Sequence, residues 1–291
     1  MFQKTAFLLV VVLTGLSLPC FGQSAEREKV EEGRYVLLKK GGRVSATGRS
    51  WTLWRLPENR YELEDRFEDL ESIDQMGATM AQDSKLGKKL QNQVFPAAEM
   101  FVQYEAGRQA TRLTVRGRYI TRKQTMDLLT CIREAAAAHC SRPEGKVNIS
   151  FKEPRELFYA TPVPELLQPW ISAFMEKPQG GGPWKVVILT LSYPVIPTTG
   201  PANLTSVELG MEKLALEKAD LTVSAQGVET LTIGDRQFHA RKFLLTVKAE
   251  TGVATEFTVW ADAKGRVLAM KAPGQTDEIM ALVQYKSYAV P

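Results

Sequence analysis

The stretch Arg60-Tyr61-Glu62-Leu63-Glu64-Asp65-Arg66-Phe67-Glu68 alternates almost without a fault. Tyr61, Leu63, Asp65 and Phe67 fall on one side of an extended chain, and Arg60, Glu62, Glu64, Arg66 and Glu68 on the other. Successive side chains of a strand point to opposite faces, so one apolar and one charged side mean one buried and one wet face, the habit of antiparallel sheets. The pattern recurs where Leu113, Val115, Gly117 and Tyr119 oppose Arg112, Thr114, Arg116 and Arg118, and where Val147, Ile149 and Phe151 oppose Asn148, Ser150 and Lys152. Between such runs stand Lys40-Gly41-Gly42, Pro57-Glu58-Asn59, Gly234-Asp235 and Asp262-Ala263-Lys264-Gly265, turn chemistry at hairpin spacing. From Trp184 onward the predicted strands are 184–193, 204–217, 221–233, 237–249, 254–261, 265–271 and 279–288, a β-meander. The first of these, apolar on both faces through Val186, Val187, Ile188, Leu189 and Leu191, is predicted to lie centrally under a covering element.

Three stretches read as helical. Residues 69–93 are polar and weakly periodic. Thr121 and Gln124 have capping-box spacing ahead of Met126, Leu129 and Ile132, which predicts a helix over 122–139. From Pro164 to Glu176, Leu166, Leu167, Trp170, Ile171, Phe174 and Met175 form one stripe, with Pro169 bending the helix or delaying its start. Together these readings predict an α+β protein, mainly antiparallel β: a curved sheet or half-barrel with two or three helices covering one face. Gln179-Gly180-Gly181-Gly182-Pro183 is the sharpest break in composition. It separates 34–178, hairpins plus helices, from 184–291, the meander, which are free to share one continuous sheet.

With 44% hydrophobic and 24% charged residues, the chain has the balance of a globular protein, which excludes disorder, collagen and a polytopic membrane protein. Residues 1–22 have the layout of a signal peptide: Lys4, an apolar run from Thr5 to Leu18, then Pro19-Cys20-Phe21-Gly22. That run is roughly 14 residues, short of the roughly 20 of a spanning helix. The chain is therefore expected to be exported to the periplasm or secreted, soluble after cleavage near Gly22, with a flexible leader over 23–33. Pro19 argues against lipidation at Cys20. In an oxidising compartment the remaining pair, Cys131 and Cys140, suggests a disulfide. A helix over that span would hold the two Cα atoms roughly 13 Å apart, beyond the ~7 Å a bridge tolerates. Either the helix breaks and the cysteines bridge, or it holds and the thiols stay free.

Chemistry is mostly absent from the motifs. There is no Gly-x-Ser-x-Gly elbow, His-Glu-x-x-His, Cys-x-x-Cys, dinucleotide fingerprint or phosphate loop, and two histidines and three cysteines leave little for a metal site. No catalytic residue, metal or cofactor is predicted. Asp65, between Leu63 and Phe67, reads either as an acid or base of raised pKa or as the partner of an arginine on the next strand. His139 beside Cys140 points the wrong way for a catalytic pair on a helix, and His239 reads as an exposed strand residue. Arg112, Arg116 and Arg118 make a basic stripe that could meet an anionic membrane surface or an acidic partner, or simply face solvent. A net charge of +4 and the export layout argue against nucleic acid.

The run Phe257-Thr258-Val259-Trp260-Ala261-Asp262-Ala263-Lys264-Gly265-Arg266-Val267-Leu268, closing on Tyr285, with a covering amphipathic helix in an exported chain, resembles secreted bacterial proteins of unknown function built like lipoprotein carriers. That resemblance implies a half-open antiparallel barrel with helices plugging its concave face, an apolar cavity for acyl chains, and no catalytic residue. It leads to the expectation of an exported, non-enzymatic binding protein, holding a lipid or other apolar small molecule in a void lined by Trp170, Phe174, Val186, Ile188, Phe257 and Val259. The alternative is an envelope structural or assembly protein that contacts other envelope proteins through sheet edges and the basic stripe.

Overall fold

The computed structural model describes residues 27–39, 43–68, 94–105, 110–119, 124–142, 145–159, 163–178, 182–191, 214–272 and 278–288, together with Glu71, Asp74, Gln75, Ala78, Thr79 and Gln82. The expected signal peptide, Cys20, the turn at 40–42 and most of the glycine-rich break lie outside the described residues.

The strands are β1 (Glu28–Lys39), β2 (Arg43–Leu56), β3 (Arg60–Phe67), β4 (Val94–Tyr104), β5 (Ala110–Tyr119), β6 (Thr125–Arg133), β7 (Ala137–Arg142), β8 (Gly145–Ser150), β9 (Glu156–Tyr159), β10 (Trp184–Leu191), β11 (Leu214–Ile233), β12 (Arg236–Ala249), β13 (Ala254–Ala261), β14 (Val267–Lys271) and β15 (Glu278–Ser287). They form one 15-stranded sheet in the order β8-β7-β6-β5-β4-β3-β2-β1-β15-β14-β13-β12-β11-β10-β9. Every pairing is antiparallel except the parallel one of β9 with β10. The two edges, β8 and β9, are consecutive in sequence and joined only by 151–155. Such a link reaches at most roughly 20 Å, whereas fifteen strands laid flat at ~4.8 Å spacing would be roughly 67 Å wide. The sheet must therefore roll until its edges nearly meet, giving a barrel-like body that is not hydrogen-bonded shut.

Arg155 holds that seam. Its buried guanidinium donates to the carbonyls of Val186 and Ala219 at 3.4 and 3.3 Å and to Glu250 at 3.0 Å, tying the link to β10, β11 and the turn after β12. Rolling also explains β10. It lies second from an edge rather than centrally, yet Val187 faces one hydrophobic cluster and Val186 and Ile188 the other.

The interior holds the α-helix α1 (Gln168–Glu176), preceded by a 3-10 turn at Pro164–Leu166. The predicted helix over 164–176 thus begins late, with Pro169 in the first turn of α1. Trp170 and Ile171 are buried, and Trp170 meets Phe158 and Trp184 edge-on while Phe174 meets Phe243. Gly265, at φ +83°, turns the chain beneath α1, and a Cβ there would come within 2.9 Å of the Ser172 hydroxyl.

The helix predicted over 122–139 is replaced by the hairpin β6–β7. Met126, Leu129 and Ile132 mimic helical spacing, but the buried positions are Leu129 and Cys131, two apart, and Ile132 is exposed. Pairing in the sheet overrides the helix preference of the alanine run, whose Ala135 and Ala136 form the bend. Cys131 and Cys140 stand directly opposite each other, with Cα atoms 4.1 Å apart, and are bridged. Residues 28–33 of the expected flexible leader run within β1. The predicted strands 204–217 and 221–233 meet as the single strand β11, bulged between Ala225 and Gly227; 204–213 lie outside the described residues. Of 69–93, the described Glu71, Asp74, Gln75, Ala78 and Thr79 are helical.

Reduction of the Cys131–Cys140 bridge, or its replacement by two alanines, is expected to lower the unfolding free energy by about 2–3 kcal/mol through loop-closure entropy. Urea denaturation with and without reductant measures this. Equal midpoints would mean that the hairpin is not bridged.

Candidate functional site

The six residues expected to line an apolar void do meet in one cluster, around Phe158, Leu167 and Phe243. There they pack against one another. Val186 and Val259 are 0% exposed and Phe257 1%, so no space the size of a water molecule adjoins them. Trp170 alone of the six borders a small cavity of about 30 Å³, shared with Val102, Tyr104, Leu113, Phe158 and Pro169.

A larger space opens at the other end of the plug. A half-open cleft of about 110 Å³ lies between the start of α1 and β1–β4, walled by Trp51, Leu53, Tyr61, Leu63, Tyr104 and Pro169, with Glu31, Glu165 and Gln168 among its polar groups. Period-two alternation puts Glu31, Trp51, Leu53, Tyr61, Leu63 and Tyr104 on the inward faces of four adjacent strands. Cross-strand pairing brings Leu53 opposite Leu63, and Tyr61 opposite Tyr104. Gly33 pairs with Trp51, and the indole lies flat over it: a Cβ on Gly33 would sit 2.7 Å from the ring.

Four side chains of this cleft carry buried polar atoms without hydrogen-bond partners: Glu31 Oε2, Trp51 Nε1, both carboxyl oxygens of Glu165, and Gln168 Oε1. Buried polar groups are nearly always paired, so such a concentration in one place is unusual. Glu165 is 5% exposed and follows Pro164 in the 3-10 turn, packed among Val163, Leu166 and Leu167. Burial, and then the carboxyl of Asp65 beside it, push its pKa well above the ordinary 4.5, and the Arg49 guanidinium offsets only part of this. Burial therefore favours the neutral acid form of Glu165 far more than at an exposed glutamate.

Asp65 is fully buried, and Arg49 of β2 donates from Nε to both its oxygens at 2.6 Å. This is the partnered reading of Asp65. Behind it, Tyr35 is wholly buried and donates to the Val267 carbonyl at 2.7 Å, with its own pKa pushed up by burial and by Glu165.

The other sequence candidates lie elsewhere. Arg116 pairs with Asp127 at 2.7 Å and Glu99 at 3.8 Å, and Arg118 with Asp74 at 2.7 Å, so two of the three stripe arginines have acidic neighbours; Arg112 is exposed. His139 contacts Asn148 at 2.9 Å and Glu134 at 3.5 Å, and its neighbour Cys140 is consumed by the disulfide. His239 is exposed on β12. Among the described residues no cluster of three or more His, Cys, Asp or Glu could hold a metal, and no helix is long and apolar enough to cross a membrane. Sequence reasoning missed Glu31, Trp51, Glu165 and Gln168. The one local signal was a glutamate set between the apolar residues of Val163-Pro164-Glu165-Leu166-Leu167.

Replacing Arg49 with methionine leaves Asp65 buried without its cation and is expected to cost about 3–5 kcal/mol in denaturant unfolding. The folded state holds the Glu165 proton more tightly than the unfolded state does. Stability from this group is therefore full below pH 4.5 and declines as pH rises from there toward its folded pKa. Glu165→Gln should flatten that decline and match or exceed the parent's melting temperature at neutral pH. A parallel decline in the variant would show that Glu165 is not the group responsible.

No protein-family model matches the chain, and no curated protein matches it. Among solved structures it is similar to a "beta-barrel-like protein of domain of unknown function DUF1849" from Brucella abortus. The match has a TM-score of 0.45 and 8% identity, and covers 90% of this chain and 98% of that one.

Proposed function

We propose that this chain is an exported, non-enzymatic binding protein whose ligand is a small molecule held in the cleft between the start of α1 and β1–β4. The observation that carries this reading is the set of unpartnered polar atoms on Glu31, Trp51, Glu165 and Gln168 around one half-open cleft. A group that met them would recover the free energy their burial costs, about 1–3 kcal/mol for each unpaired atom. The signal-peptide layout of 1–22 and the Cys131–Cys140 bridge support export.

Size narrows the ligand. A cleft of about 110 Å³ is smaller than the ~150 Å³ engineered cavity that accepts benzene. An acyl chain, at roughly the volume of a water molecule (~30 Å³) per methylene, is several times too large, so the lipid expected from the carrier resemblance gives way to a smaller molecule. The envelope-assembly alternative draws less support, because Arg116 and Arg118 are already paired within the chain.

Native mass spectrometry on protein exported by its own host and purified without detergent tests the reading. The expected result is a bound small molecule that is absent from Leu53→Trp, a variant that fills the cleft. A bare polypeptide, with a host metabolite extract giving no saturable thermal shift, would contradict it.

A further inference from the structure

We infer that the cleft recognises an ammonium group carried on a short apolar stem. This rests on the binding reading above and deepens it. The unpartnered atoms are unequal in kind: acceptor oxygens on Glu31 and Gln168 and the carbonyl oxygen of Glu165, against the N–H donor of Trp51, while the acid proton of Glu165 has the Asp65 carboxyl to face. A ligand that satisfies them must mainly donate. A primary ammonium has three N–H donors and no acceptor, which matches three oxygen-bearing side chains, and the Glu31 carboxylate excludes an anion.

The walls fit the same group. Trp51, Tyr61 and Tyr104 border the cleft, and the faces of aromatic rings attract cations. Leu53, Leu63 and Pro169 leave apolar surface for a stem of a few carbons. A sugar would also seek aromatic walls and hydrogen bonds, but a pyranose is bulkier than benzene and exceeds the space. A neutral hydrocarbon would leave every one of the oxygens unpaired.

Binding should also move a proton. The groups facing Glu165 are Asp65 of β3, Arg49 of β2, Tyr35 of β1 and, across the cleft, Glu31 of β1. Asp65 and Arg49 already engage each other. A cation arriving in the cleft therefore favours the ionised form of Glu165, whose proton leaves to solvent.

The test titrates the full chain near pH 7 with ethylammonium, ethanol and acetate, three probes of one carbon count. Isothermal calorimetry is run in two buffers of different ionisation enthalpy. The expected result is saturable ethylammonium binding with proton release, and at least about tenfold weaker binding of the alcohol and of acetate. Glu31→Gln should weaken the ammonium at least tenfold, and Glu165→Gln should abolish the proton release; circular dichroism checks that both variants fold.

Ethanol binding as tightly as ethylammonium would overturn the ammonium assignment while leaving the binding reading intact. So would ammonium binding unaffected by either variant, which would place it elsewhere. If none of the three probes binds and the exported protein carries nothing, both readings fall.

Discussion

The link 151–155 sets the constraint from which the rest of the structure follows. It joins the two edges of a 15-stranded sheet over a distance that a flat sheet could not offer. The sheet must roll, and a rolled sheet of so many strands encloses more space than its own side chains can fill; natural barrels of eight strands are about the limit for that. Something must occupy the interior. The segment 163–176 does so, with Trp170, Ile171 and Phe174 packed against the C-terminal strands.

The plug fills one end better than the other. Beneath α1 the aromatic side chains interlock edge-on and leave only the small cavity beside Trp170. At the start of α1 the chain arrives through a 3-10 turn that carries Glu165 inward against Asp65, which Arg49 already satisfies. An extra carboxyl in that place has no cation of its own, and burial favours its neutral form. The polar cleft is thus the less filled end of the plug, and the same geometry that sets Glu165 against another carboxyl gathers Glu31, Trp51 and Gln168 around it.

Much of the fold was legible because strands announce themselves locally. Alternation in 60–68 is a property of nine consecutive residues, and the structure keeps it, with Leu63 and Asp65 buried and Arg66 in water. At 122–139 the helical spacing of Met126, Leu129 and Ile132 hides the two-residue step from Leu129 to Cys131, and pairing with the neighbouring strands makes the hairpin. The cleft was illegible for a different reason. Glu31, Trp51, Leu63, Tyr104 and Glu165 come from five separate segments, and none carries a sign of the others until the sheet rolls. Around Val186, Phe257 and Val259 the side chains are closely buried, and packing density is something no pattern of residue types encodes.

The most direct test of this account is a carbon-13 NMR titration of the Glu165 side-chain carboxyl, assigned by its loss in Glu165→Gln. The account predicts the chemical shift of a protonated acid at pH 7, changing only well above the range of surface glutamates. An ionised carboxylate at pH 7, titrating near 4.5 like an exposed side chain, would contradict the burial of the plug and with it the cleft.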